Sequence, residues 1–240
     1  MKTLPHLILS ILFSLVLFLS ACGTEKSQGQ SPSAHMGKYQ INGISDDWND
    51  DTLVTKELGG KGRGTFGKDI DIKSVHVDTN KEYLYVFLTC EPTIEEYAKT
   101  DAFSGILAYL YVDKDRDSKT GASVTDSSGN DGMHGAEFQI WVPITSWAKL
   151  EGGKAFSGIS VSYSLNSWDS KTNDFDRQIR EEDATDDGAL IAEGRDGVEL
   201  AVPLNDLGLV SGESFEFLAL EWATNRESEI LKIEITMENE

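Results

Sequence analysis

From Tyr83 to Cys90 the chain reads Tyr-Leu-Tyr-Val-Phe-Leu-Thr-Cys, and from Ile159 to Asn166 it reads Ile-Ser-Val-Ser-Tyr-Ser-Leu-Asn. This period of two constrains the fold more than any other feature. The pleat of a strand sends successive side chains to opposite faces, whereas a helix would scatter the same apolar residues around its circumference. Leu84, Val86, Leu88 and Cys90 share one face. Ile159, Val161, Tyr163 and Leu165 form a dry face whose reverse is Ser160, Ser162, Ser164 and Asn166. Further strand-like runs cover 72–77, 106–112, 136–142, 197–202, 215–222 and 230–237. Turn clusters separate them, such as Asp78-Thr79-Asn80-Lys81, Ser127-Ser128-Gly129-Asn130-Asp131-Gly132 and Asp186-Asp187-Gly188. Short helical turns are expected at 93–99 and 204–207. Many strands, few helices and no internal repeat predict an all-β chain: an antiparallel two-sheet β-sandwich of jelly-roll-like form.

The first residues do not belong to that domain. Met1-Lys2-Thr3 precedes an apolar run over 7–19 broken only by Ser10 and Ser14, and the run ends in Leu19-Ser20-Ala21-Cys22. A basic start, a short apolar core and small residues before a cut site make a secretory signal, too short for the roughly 20 residues of a membrane-spanning helix. Leu-Ser-Ala-Cys resembles the lipobox of bacterial lipoproteins. That resemblance implies that the Cys22 thiol is acylated and becomes the first residue of the mature chain. Residues 23–37, rich in Ser, Gly and Gln, bury too little to offset their ordering entropy and read as a tether. The expected organisation is a signal peptide at 1–21, an acylated flexible tether at 22–37 and a β-sandwich binding domain at 38–240. Such a chain is extracytoplasmic, at the cell surface or in the periplasm, and meets the membrane through its lipid anchor only. Cys90 is then left without a disulfide partner and is expected to be a buried thiol.

The formal net charge is −20, and loss of Lys2 with the signal makes it −21. That sign repels phosphate backbones and anionic lipid, so nucleic acid is excluded as a partner, and bound cations are favoured. A candidate cation site follows directly. Tyr111-Val112 runs into Asp113-Lys114-Asp115-Arg116-Asp117 and then Ser118-Lys119-Thr120-Gly121. Carboxylates at alternate positions of a tight loop converge on a point, and calcium selects such hard oxygens. The loop is not a complete EF-hand, because Ser118 and Val124 stand where its Gly and bidentate Glu belong. The candidate ligands are therefore Asp113, Asp115 and Asp117, with Asp131 or Glu137 across the following hairpin. The alternative is an acidic surface turn without metal.

Ile41-Asn42-Gly43-Ile44-Ser45-Asp46-Asp47-Trp48 resembles the opening strand of family-9-like carbohydrate-binding modules, the sugar-binding branch of the DOMON-like sandwiches. Three further segments resemble the same group in the same order. The first is Asp71-Ile72-Lys73-Ser74-Val75-His76-Val77-Asp78 with Glu82-Tyr83-Leu84-Tyr85-Val86. The second is Tyr111-Val112-Asp113 with Lys119-Thr120-Gly121 and Gly135-Ala136-Glu137-Phe138-Gln139-Ile140. The third is Gly197-Val198-Glu199-Leu200-Ala201-Val202-Pro203-Leu204 with Leu207-Gly208. The resemblance spans 41 to about 237 and implies a jelly-roll-like sandwich, a fold-supporting calcium site and a sugar-binding face.

Sugar C–H faces stack on flat aromatic rings. Trp48, in the opening motif, reads as a core plug, and Trp222 shares the face of Leu218 and Leu220. Trp141 alternates out of phase with Phe138 and Ile140, Trp147 follows Pro143 in what reads as a loop, and Trp168 follows the Ser-rich strand. Trp141, Trp147 and Trp168 are therefore the candidate ligand-binding platforms. Catalysis finds little support. There is no Gly-x-Ser-x-Gly elbow, phosphate-cradling loop or metal-spaced histidine pair. With 41 acidic residues some pair always falls at glycosidase spacing, so such a pair carries no information. Haem would need ligands such as Met133 with His76, a pairing that their Gly/Asp-rich and strand settings do not favour. The expected function is a non-catalytic, calcium-stabilised carbohydrate-binding lipoprotein. An adhesion or protein-interaction surface on the same scaffold is the alternative.

Overall fold

The computed structural model describes residues 34–36, 39–56, 71–91, 93–94, 105–125, 131–151, 154–221, 226–227 and 231–234. The segment expected to be a signal peptide and Cys22 lie outside the described residues, as does most of the stretch at 93–99. Among the described residues no helix is long and apolar enough to cross a membrane.

The alternating segments are strands. In chain order they begin with β1 (Ala34–Met36), β2 (Tyr39–Ile41), β3 (Leu53–Lys56), β4 (Asp71–Thr79), β5 (Tyr83–Glu91) and β6 (Gly105–Asp113). Next come β7 (Ala122–Thr125), β8 (Asp131–Ala136), β9 (Phe138–Glu151), β10 (Lys154–Asp169) and β11 (Asp174–Asp183). The last are β12 (Ile191–Glu193), β13 (Gly197–Pro203), β14 (Ser214–Glu221), β15 (Arg226–Glu227) and β16 (Leu231–Glu234). A five-stranded sheet has the order β12-β13-β5-β4-β3. A seven-stranded sheet has the order β11-β10-β9-β6-β14-β15, with β16 also on β14. Every pairing is antiparallel. The protein is an all-β sandwich, as the alternation predicts. The β1–β2 hairpin starts within 22–37, and 204–207 forms hydrogen-bonded turns, Leu207 N–H donating to the Leu204 carbonyl.

The core lies between the two sheets. Leu84, Val86 and Leu88 of the small sheet meet Leu110, Ile140, Tyr163, Leu165 and Phe217 of the large one, all with no exposed area. The Tyr163 hydroxyl donates across the core to the Ala201 carbonyl (3.3 Å). Cys90 is free and buried, and burial pushes its thiol up to about 12, which keeps it protonated and inert.

The opening motif is a latch on the small sheet. Trp48 stacks on Tyr39 (4.3 Å between centroids) and Phe87 (5.7 Å), and its Nε1–H donates to Glu199 Oε1 (3.0 Å). The other carboxylate oxygen accepts from the Asn42 and Gly43 amides. Burial raises Glu199 to about 7, against the lowering effect of those N–H donors. Gly43 has a φ of 66°, and a side chain there would run into the backbone of Gly194. Only glycine lets the loop sit this close.

A second, smaller core forms on the outer face of the large sheet. The β7–β8 hairpin lays Val124 and Met133 over Leu218, Leu220 and Tyr111, with Trp168, Tyr109 and Phe175 at the rim. Met133 is therefore fully buried in this outer cluster. His76 instead sits on β4 beside Trp48 and Phe87, so the two do not form an axial pair.

Candidate metal centre and aromatic face

The sequence predicts one continuous strand over 136–142, but the structure breaks it at Glu137. The Glu137 amide donates to the Val112 carbonyl (3.0 Å), and its own carbonyl accepts from the Trp168 amide (2.8 Å). Glu137 thus links three strands through its backbone, which frees its side chain to turn toward the aspartate loop at the end of β6.

Asp113, Asp115 and Glu137 come together there, each offering an oxygen within 4.8 Å of the others'. Asp113 is 1% exposed. Its Oδ1 accepts from the Arg116 amide, at a residue with a φ of 55° that folds the loop back on itself. Gly135 lets the hairpin close over the loop, because a side chain at its φ of 95° would meet the Asp117 carbonyl at 2.6 Å. The Thr120 hydroxyl lies within 3.2 Å of Asp115 Oδ1 and Oδ2, Glu137 Oε1 and the Asp117 carbonyl. A hydroxyl has one proton to give, so most of these acceptors are left facing one another.

Burial raises the Asp113 carboxyl to about 6, opposed by the Arg116 amide and reinforced by Glu137, Asp115 and Glu216. Burial also raises Glu137, against the Lys114 amide and the Thr120 hydroxyl. Oxygen-rich, partly buried and short of protons, the cluster could hold a hard cation.

Of the five residues named from sequence, the structure brings three together. Asp117 turns its carboxylate outward to the Lys119 amide (3.0 Å) and offers the cluster its carbonyl instead. Asp131 opens β8, and its side chain lies outside the described residues. Thr120, whose Thr-Gly turn is visible in the sequence, is a participant that the carboxylate pattern alone does not reveal.

The tryptophans divide in the same way. Trp48 is buried, as expected. Trp141 points away from the core with 40% of its surface exposed. Trp147 does not lie in a loop: β9 continues through it, with Trp147 opposite Gly158, because Pro143 sits in the strand without ending it. The Trp147 side chain and Trp222 lie outside the described residues. Trp168, half-buried at the end of β10, packs edge-on against Phe175 (5.3 Å).

Trp141 has neighbours that the tryptophan pattern of the sequence does not reveal. Across the strands it faces Tyr109 on β6 and Ser164 on β10. Tyr109 could have been found by parity, because it alternates with Leu110 of the core. The Tyr111 hydroxyl accepts from Gln139 Nε2 (3.2 Å), and the Tyr111 ring lies 5.8 Å from Phe175. The carboxylate cluster and this aromatic face are two residues apart on both β6 and β9: Tyr111 and Asp113 on one, Glu137 and Gln139 on the other. Comparisons of the chain with known protein families, with curated proteins and with solved structures found no match.

Proposed function

We propose that this protein is a non-catalytic, extracytoplasmic lipoprotein module that binds carbohydrate on the outer face of its large sheet. The observation that carries the reading is Trp141, an exposed indole in register with an aromatic side chain on one side and a hydroxyl on the other. Rings provide stacking area for sugar C–H faces, and neighbouring polar groups fix orientation. Calcium held by Asp113, Asp115 and Glu137, with the Asp117 carbonyl and Thr120 hydroxyl at hand, would neutralise the cluster. It would thereby tie the end of β6 to the β8–β9 junction beside the aromatic face.

Trp141→Ala is expected to abolish glycan binding with little change in melting temperature. One stacked platform supplies micromolar to millimolar affinity, about −8 to −4 kcal/mol, and screening does not weaken stacking as it weakens exposed charge pairs. Titration calorimetry against neutral oligosaccharides at low and high salt reads both properties. If no neutral glycan binds, or binding survives Trp141→Ala, the protein-interaction alternative replaces this one.

The anchor is tested separately. Cys22→Ser is expected to move the protein from the membrane fraction to the soluble one, or to leave an uncut precursor. Normal processing and membrane retention of that variant would exclude acylation at Cys22.

A further inference from the structure

The register of the large sheet extends the aromatic face into two parallel rows. One row is Tyr109, Trp141, Ser164 and Glu181, taken from β6, β9, β10 and β11 in turn. The adjacent row is Tyr111, Gln139, Asn166 and Gln178 on the same four strands. The alternate residues Leu110, Ile140 and Leu165 are fully buried between the sheets, so the row members on β6, β9 and β10 face outward, and Glu181 and Gln178, three apart across a bulge in β11, are both exposed. Each row passes from aromatic to amide, hydroxyl or carboxylate. Tyr111, 7% exposed, and the continuation of the rows on β14, Leu220 and Leu218, lie under the β7–β8 hairpin. The rows are therefore closed at the aromatic end and open at the β11 edge.

The polar members are held in place. Gln178 Nε2 donates to Glu181 Oε2 (2.9 Å), and Asn166 Nδ2 donates to Ser164 Oγ (3.3 Å). Neither row contains Lys or Arg. We propose that the face takes a short neutral oligosaccharide lying across the strands, with one sugar stacked at Trp141 and Tyr109 and the following units hydrogen-bonded by Asn166, Gln178 and Glu181. This inference rests on the carbohydrate reading above and adds the ligand's direction, charge class and specificity residues.

Size favours a small ligand over a protein. Three inter-strand gaps of about 4.8 Å and two rows about 7 Å apart give a footprint on the order of 100 Å². A stable protein interface needs about 800 Å² on each partner. Charge favours a neutral sugar, because Glu181 lies in the row and Asp183 follows it opposite Ser162. An amide that both donates and accepts suits hydroxyls, which do the same, and fixed side chains lose less entropy on binding.

The test is calorimetric titration of the full chain in a non-glycosidic detergent. The probes are neutral glucose, mannose, xylose and galactose oligosaccharides of one to six units, with galacturonic acid oligomers as the charged series. At least one neutral series is expected to gain roughly tenfold or more in affinity up to three or four units and then level off, as a row about 14 Å long requires. Asn166→Ala and Glu181→Ala should each weaken the tetrasaccharide roughly fivefold more than the monosaccharide, with little change in melting temperature. Trp141-dependent binding that is independent of length, insensitive to both variants, or stronger for the uronic series overturns the cross-strand assignment but leaves the aromatic platform standing. Absence of Trp141-dependent binding to every neutral series overturns both.

Discussion

Trp48→Ala is expected to cost about 3–5 kcal/mol of stability, as truncation of a buried large aromatic does. For a domain of this size that lowers the melting temperature by roughly 6–20 °C. Two effects combine. The indole fills the space between Tyr39 and Phe87, so its loss leaves a cavity in the small sheet's aromatic stack. Its N–H is also one of three donors holding the fully buried Glu199 carboxyl group, and a buried polar group stripped of a hydrogen-bond partner is costly. Trp141→Ala removes a ring of the same size from an exposed position and should shift the melting point by only about 2 °C or less, in the range of ordinary surface substitutions. Parallel thermal melts of the two variants measure the contrast directly. Equal, small shifts would mean that the opening motif is not a structural latch.

That contrast also shows how the sequence encodes position. The sheet faces are legible because burial on one face forces strict alternation. Leu110, Ile140 and Leu165 identify the core, and by parity they identify Tyr109, Trp141 and Ser164 as outward. The cross-strand order is not legible, because β6 pairs with β9 and β14, partners distant in sequence. No local pattern announces that Glu181 falls in line with Trp141. The aspartate loop is half legible. Alternate spacing predicts convergence for Asp113 and Asp115, but the same spacing admits Asp117, whose backbone turn sends the carboxylate to the Lys119 amide. Glu137 joins only because its strand breaks, and that break depends on backbone bonds to Val112 and Trp168. Pro143 shows the opposite error: a residue that reads as a strand breaker is accommodated inside β9, opposite Leu107.

Calcium is expected to raise the melting temperature at pH 7.5 and to do so much less at pH 5. A ligand that binds only the folded state at a hundredfold excess over Kd contributes about 2.7 kcal/mol, or roughly 5–11 °C here. The pH dependence follows from Asp113. Its folded-state pKa of about 6 lies above its ordinary value of 3.8, so without metal the native state holds a proton that the unfolded chain has already lost. The stability of the metal-free protein therefore falls as pH rises between those two values. Calcium takes the ionised carboxylate, so proton and metal compete, and the calcium increment grows as pH passes 6. Asp113→Asn keeps the shape and removes the charge. It should abolish the calcium shift while leaving the metal-free variant at pH 7.5 at least as stable as the unsubstituted protein, because the buried repulsion with Asp115 and Glu137 is gone. A merely structural Asp113 would instead give a destabilised variant and no calcium effect in either protein. Melts in chelator, in millimolar calcium and in sodium chloride of matched ionic strength separate binding from screening. Identical curves in chelator and calcium at pH 7.5 would make the loop an acidic turn that holds no metal.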